Sequence, residues 1–113
     1  GAWPNLFREA RFVSAVDYIN ANRARSVLMK RVHDLMKDYD VIVSPSFGNS
    51  QLLTTNLTGH PCVVLKNGYD DNGSPTSISF IGNLFDEATI LGVARAYQDA
   101  TEFDEQHPKA FVN

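Results

Sequence analysis

Residues 54–75 of this 113-residue chain, TTNLTGHPCVVLKNGYDDNGSP, contain side chains of the types that line ligand sites. The stretch opens with hydroxyls, an amide, a glycine and a histidine. A Ser-His-Asp triad for nucleophilic catalysis could be drawn from Ser44 or Ser46 with His60 and Asp40. No nucleophile elbow constrains that choice, so the residues alone assign no catalytic group.

Metal and cofactor sites are not indicated. The three histidines, His33, His60 and His107, are far apart in sequence, and none has a second His or Cys at metal-ligand spacing. We interpret them as surface or loop histidines and predict no metal and no cofactor. The single cysteine, Cys62, excludes an internal disulfide framework and is predicted to be a buried strand residue rather than a thiolate nucleophile.

Charge is distributed unevenly along the chain, whose net charge is -3. Residues 1–37 hold seven Lys and Arg against three acids, and residues 38–113 hold three against ten. The acidic part would repel phosphate, and no aromatic residues are interleaved with the basic ones, so we predict no nucleic-acid binding. The apolar runs are far shorter than the ~20 residues of a membrane span. We expect no membrane segment, no signal peptide and a cytoplasmic location.

A long helix is predicted over about residues 15–37, because Ser14 can cap it and no Gly or Pro interrupts it. Arg25 lies in the middle of its apolar stripe. A guanidinium there is costly unless it is paired, so we expect Arg25 to reach an acid or a carbonyl, or to extend to the edge of the interface. The stripe comprises Tyr18, Ala21, Leu28, Val32, Leu35 and Tyr39.

Three short strands and a final helix follow. The apolar run at about residues 40–43 predicts a buried, parallel strand that ends in a loop at Pro45. A short helix over residues 51–58 should end at Gly59 in a left-handed C-cap. Strands at about 62–66, covered on both faces, and 76–81 should form an antiparallel pair. A helix at about 86–100 and an acidic tail, residues 101–113, complete an α/β chain.

The order of these segments resembles the carboxyl-terminal part of the amidase signature family. The resemblance spans roughly residues 15–100 and rests on Tyr18, Ala21 and Arg25 together with YDVIVSPS (39–46), TNLTGHPCVVL (55–65), NGSPTSISFIG (72–82) and FDEATILGVARAYQ (85–98). It implies a piece of that family's fold, residues 1–113, in which a small mixed sheet of about three strands packs with one long N-terminal and one C-terminal helix. The family comprises serine hydrolases of amide bonds, including general amidases, fatty-acid amide hydrolases and an amidotransferase subunit.

The family's catalytic groups, two serines and a lysine, belong to a Gly/Ser-rich region upstream of these motifs. This chain contains no Ser-Ser and no Gly-Gly dipeptide, so no catalytic residue is assigned and the catalytic core is absent. The resemblance implies a parent amidase, a hydrolase of C–N bonds other than peptide bonds. Its partner would be a small-molecule amide substrate, and this chain alone would be inactive.

Four residues are implied as the wall of the amide pocket: Ser46, Thr55, Asn56 and Gly59, although a purely structural role for each stays open. Family members that use glutamine carry an acid seven positions before the Asn, where this chain has Asn49. That difference favours a general amidase. The alternative is a stand-alone oligomerisation or binding module derived from the amidase C-terminus. In either case we expect self-association through apolar faces that truncation exposes.

Overall fold

A computed structural model describes residues 2–47 and 50–108 of the chain. It contains four α-helices and three β-strands, with a short 3₁₀ turn at Ala10–Phe12 and another at Phe103–Glu105. In chain order the elements are α1 (Ala2–Glu9), α2 (Ala15–Met36), β1 (Val41–Pro45), α3 (Gln51–Thr58), β2 (Cys62–Tyr69), β3 (Pro75–Gly82) and α4 (Glu87–Thr101).

The structure confirms the predicted α/β class and the three-strand sheet. It also confirms the long N-terminal helix, which is α2, and the carboxyl-terminal helix, which is α4. The strands lie in the order β1-β3-β2, so β3 is central. The parallel orientation predicted for β1 is wrong, because β1 is antiparallel to β3, with Val41 opposite Gly82 and Pro45 opposite Ile78. The chain crosses from β1 to the far edge, forms β2, and returns along β3. β1 and β2 therefore run in the same direction but are separated by β3, and the described sheet is not mixed.

The antiparallel pairing of β2 with β3 is confirmed, and a tight turn connects the two strands. The Asp70 carboxylate accepts hydrogen bonds from the backbone N–H groups of Asn72 and Ser74, at 2.9 and 2.8 Å. Gly73 has a φ of 79°, a conformation that glycine adopts without steric cost. The register shifts between Lys66 and Gly68, which is a β-bulge in the edge strand.

Local capping fixes the ends of two helices. The Ser14 hydroxyl accepts a hydrogen bond from the Asp17 backbone N–H at 3.1 Å and so caps α2. α3 ends at Gly59, whose φ is 81° and whose N–H donates to the Thr55 carbonyl at 2.8 Å. The left-handed C-cap predicted at Gly59 is thus observed.

One face of the sheet is well packed, by α4. Phe80, Ile90 and Ala94 are buried there, and the Phe80 and Tyr97 rings lie 5.5 Å apart. Gly82 lies directly against Ile90, so that a Cβ at this position would overlap the Ile90 side chain. These contacts form the main apolar core of the described chain.

The opposite face of the sheet carries α3 and the end of α2, and it is less completely covered. Met36 is buried there, whereas Tyr18, Leu35 and Tyr39, which belong to the predicted stripe of α2, are more than half exposed. None of the described helices is long and apolar enough to cross a membrane.

The prediction that the strand at 62–66 is covered on both faces is wrong for the described chain. Exposure alternates over the first four residues of β2, where Cys62 and Val64 are exposed, so the prediction of a buried cysteine is also wrong. The reason is the position of β2 at the edge of the sheet, where α4 packs against one face only. The predicted tail contains a helical turn at Phe103–Glu105, and residues 109–113 lie outside the described residues.

Candidate functional site

The loop after β1 is attached to the central strand through Ser46. Its hydroxyl accepts a hydrogen bond from the Ser79 hydroxyl at 3.0 Å, and its backbone N–H donates to the Ser77 carbonyl. Both serine side chains are buried. Ser46 therefore positions the loop backbone. Asn49, at the position where glutamine-using family members carry an acid, lies outside the described residues.

Thr55 is buried within α3 and its hydroxyl is already engaged. It donates to the carbonyls of Gln51 and Leu52, at 3.3 and 3.1 Å, in the preceding turn of the helix. Such a bond leaves the hydroxyl no free proton for a ligand. Thr55 can contribute to a pocket through its methyl group and by its position in the helix.

Asn56 and Gly59 are exposed, and the four predicted pocket residues do not line one common cavity. Successive residues of a helix point about 100° apart. Thr55 accordingly lines a cavity on the sheet side of α3, whereas Asn56 lines a groove between α3 and α2. Gly59 acts as the end of α3, and Ser46 lies at the end of β1.

The cavity on the sheet side measures about 160 Å³. Its walls are mostly apolar, and His60 and Gln51 are the polar groups with the greatest hydrogen-bonding capacity. The lining residues are Val32, Leu35, Met36, Ile42, Gln51, Thr54, Thr55, His60 and Ile81.

His60 lies in the loop between α3 and β2, as one of the two predicted alternatives has it, but it is 5% exposed and so is not a surface histidine. It directly follows Gly59, the left-handed residue that ends α3. The side chain at that position commonly packs back onto the last turn of the helix. The glycine at position 59 therefore indicates that the next side chain is buried. Because that side chain is a histidine, its residue type did not indicate burial.

The hydrogen bonds around His60 define its tautomer. The Thr58 hydroxyl donates its only proton to the Thr54 carbonyl at 2.9 Å, and it must then accept from His60 Nδ1 at 2.8 Å. Nε2 is left as an acceptor, and it finds no partner among residues 2–47 and 50–108; the same holds for Gln51 Oε1. Burial, and secondly the charge of His33, lowers the pKa of His60, which favours the neutral ring.

The structure does not assemble the triad of Ser44 or Ser46 with His60 and Asp40 that the sequence would allow. In the part of the chain that the structure describes, the side-chain hydrogen bonds of His60 end at Thr58 and reach neither Ser44 nor Ser46. Residues 2–47 and 50–108 also contain no group of three His, Cys, Asp or Glu side chains that could hold a metal ion. Neither a catalytic residue nor a metal ligand is therefore assigned.

The groove between α2 and α3 has a volume of about 390 Å³. Arg25 crosses it, and its Nε–H donates to the Leu57 carbonyl at 2.6 Å. The sequence-based expectation that this guanidinium reaches a carbonyl is confirmed. The groove is lined by Tyr18, Ala21, Asn22, Arg25, Asn56 and Leu57.

No family model matches the chain, but individual relatives do. The chain is 33% identical over 111 residues to a glutamyl-tRNA(Gln) amidotransferase subunit of Lysinibacillus sphaericus, a match covering 81% of this chain and 23% of the relative. It is 34% identical over 113 residues to a fatty acid amide hydrolase of Arabidopsis thaliana, covering 79% of this chain and 19% of the relative.

A solved structure shows the same fold. An amidase family protein from Bacillus anthracis superimposes with a TM-score of 0.73 and 21% identity, over 88% of this chain and 20% of that protein. The chain thus spans about a quarter or less of the length of the proteins it matches.

Proposed function

Because this chain is a C-terminal portion of an amidase signature protein, we propose that it provides structural support and part of the pocket wall for a carboxylic amide hydrolase. The parent would work through a seryl acyl-enzyme, with its nucleophile outside residues 1–113. The observation that carries the proposal is the extent of the sequence matches, which cover about four-fifths of this chain. Two relatives with different names match about four-fifths of this chain at similar identity, so the matches favour amide chemistry in general rather than one substrate.

Within this proposal the pocket wall is formed by the segments that carry Ser46, Thr55, Asn56 and Gly59. Ser46 and Thr55 contribute by fixing backbone, since their hydroxyls bond to Ser79 and to carbonyls of α3. Asn56 is the member whose exposed amide is available to a small-molecule amide substrate. In the parent, Asn56→Ala should raise KM or lower kcat/KM, whereas Ser46→Ala should act mainly through stability.

An assay of the 113-residue chain with simple amides and ammonia detection tests the absence of catalysis. We expect no ammonia release above the uncatalysed rate, because the sequence has no Ser-Ser pair and residues 2–47 and 50–108 assemble no triad around His60. Ammonia release that Ser44→Ala or Ser46→Ala abolishes would overturn the proposal. The sequence encoded upstream of residue 1 gives a second test, since a Gly/Ser-rich Ser-Ser segment is expected there.

A second candidate function is a stand-alone oligomerisation or binding module. The observation that favours it is the large exposed apolar surface of residues 2–20, which includes Trp3, Phe7 and Phe12. Surfaces of this kind mark interaction sites in soluble proteins. Self-association should appear in light scattering as a mass that rises with concentration. A constant monomer mass at high concentration would contradict it.

A further inference from the structure

The guanidinium of Arg25 is held in place but keeps most of its hydrogen-bond donors free. Its Nε–H donates to the Leu57 carbonyl in the last turn of α3, where helix carbonyls lack partners within the helix. That contact uses one of the five N–H groups of the side chain. A guanidinium fixed in this way loses little conformational entropy when its two terminal nitrogens bind a ligand.

No carboxylate neutralises this charge in the described part of the chain, where the ion pair that meets distance criteria is Arg95 with Asp99. α3 contains no acidic residue. In the first turns of α2 the nearest acid in sequence, Asp17, accepts a hydrogen bond from the Ser14 hydroxyl. Arg25 is exposed and has no carboxylate partner among the described residues, so its terminal nitrogens are accessible to an anion from solution.

Other polar groups line the same groove. The Asn56 side chain is exposed and forms no hydrogen bond with residues 2–47 or 50–108, and the phenol of Tyr18 lies at the opposite wall. Ala21 leaves space because its side chain is a single methyl group, and Leu57 adds an apolar surface. A volume of about 390 Å³ is within the range of small-molecule sites.

We propose that this groove binds carboxylates. The two terminal nitrogens of Arg25 contact both carboxylate oxygens, the Asn56 amide donates to one of them, and an apolar substituent packs against Tyr18 and Leu57. Paired hydrogen bonds between a guanidinium and a carboxylate are charge-assisted and geometrically specific. The ligand is either a free small carboxylic acid or the C-terminal carboxylate of a peptide. The site shares Asn56 with the proposed pocket wall but requires no hydrolysis, so carboxylate binding can fail while the proposed amidase role holds, and the reverse.

Titration of the isotope-labelled 113-residue chain with benzoate, followed by NMR, tests the proposal. We expect saturable shifts of the Arg25 Nε–H and Asn56 amide signals, with a dissociation constant on the order of 1 mM for this open groove. Benzamide has the same shape without the charge and should bind at least about tenfold more weakly. A short peptide and its C-terminal amide distinguish the second source, since only the free carboxylate should compete with benzoate.

Variants locate the site. Arg25→Gln should weaken benzoate binding by about tenfold or more, and Arg31→Gln, a matched charge removal elsewhere on α2, by less than about twofold. Arg25→Gln also removes the contact with Leu57, so Asn56→Asp provides an independent test, because the new carboxylate would occupy Arg25 without removing it. Asn56→Ser is its uncharged control: it removes the amide donor without adding a carboxylate, so it should weaken benzoate binding less than Asn56→Asp does.

The proposal is overturned if benzoate produces no saturable shift in the folded 113-residue chain without substitutions. It is also overturned if benzamide binds as well as benzoate, or if Asn56→Asp binds benzoate with unchanged affinity. Circular dichroism establishes that each variant is folded before its affinity is compared. If Arg25→Gln does not fold, the Asn56→Asp and Asn56→Ser pair decides the outcome.

Discussion

The α4 side of the molecule and its N-terminal arm, which we define as residues 2–20, are both amphipathic, but only the α4 side buries its apolar face. Ile90 and Ala94 on α4 are 2% and 4% exposed, whereas Phe12 and Val16 in the arm are 88% and 66% exposed. Every residue of the arm is exposed. An apolar stripe therefore indicates a helix, but it stabilises the fold only where another element covers it.

The overall dimensions reflect this difference. The radius of gyration is 18.0 Å, whereas a compact chain of this length would have about 13 Å. The arm projects from the sheet and adds length without adding core. Its apolar side chains are therefore available to a partner.

The largest effect is expected from Ile90→Ala. Ile90 is almost fully buried against the sheet, so truncation leaves a cavity and should lower the free energy of unfolding by about 2–5 kcal/mol. Urea denaturation followed by circular dichroism measures it. Leu91→Ala is the matched control, because the neighbouring Leu91 is exposed and should change the unfolding free energy by less than about 0.5 kcal/mol. Equal effects of the two substitutions would contradict the packing described for α4.

Gly82→Ala should be the next largest. The added Cβ would overlap the Ile90 side chain, which is confined by the core, and overpacking of this kind costs about 1–3 kcal/mol. Gly92→Ala is the control within α4, since nothing lies within 4 Å of a Cβ at that position. In a helix interior this second change should stabilise the protein by about 0.5–1 kcal/mol. In thermal denaturation, Gly82→Ala should therefore lower the Tm and Gly92→Ala should raise it.

A smaller, pH-dependent effect is expected at His60. Its folded-state pKa is lowered by burial and by His33, so below the unfolded value of about 6.5 the unfolded state binds more protons than the folded state. The free energy of unfolding should fall as the pH falls below about 6.5, and level off below the folded-state pKa. Denaturation at several pH values measures this. His60→Leu should flatten that part of the profile, and His107→Gln, at an exposed position, should leave it unchanged.

The smallest change in stability is expected in the arm itself. Phe12→Ser replaces the most exposed large apolar side chain of the arm and should alter the free energy of unfolding by less than about 0.5 kcal/mol. It should nevertheless reduce the concentration dependence of the mass in light scattering. A large loss of stability in a monomer would show that the arm packs on the body of the protein.

Much of this fold could be predicted because its signals are local. The Ser14 cap, the Gly59 stop and the turn at Asp70–Ser74 each depend on a few neighbouring residues, and each forms where the residue types indicate. The orientation of β1 could not be predicted in this way. An apolar run shows that a strand is present, but its direction depends on β3, which follows much later in the chain.

The candidate site was less predictable, because it depends on which side of α3 each residue occupies. Thr55 and Asn56 are adjacent in sequence yet line different cavities. His60 is buried because of the turn that precedes it, although histidine is a polar residue type. The carbonyl partner of Arg25 was predictable as a kind of contact, but its identity, Leu57, required the packing of α2 on α3.

The order of the strands also has a consequence for the time course of folding. β3 is the last of the three described strands, and β1 and β2 each pair with it and not with each other. Within the described sheet, β1 is therefore synthesised before β3, the strand with which it pairs. The β2–β3 hairpin closes a short loop, whereas β1 must close a long one, so we expect the hairpin to form first and β1 to add to it afterwards.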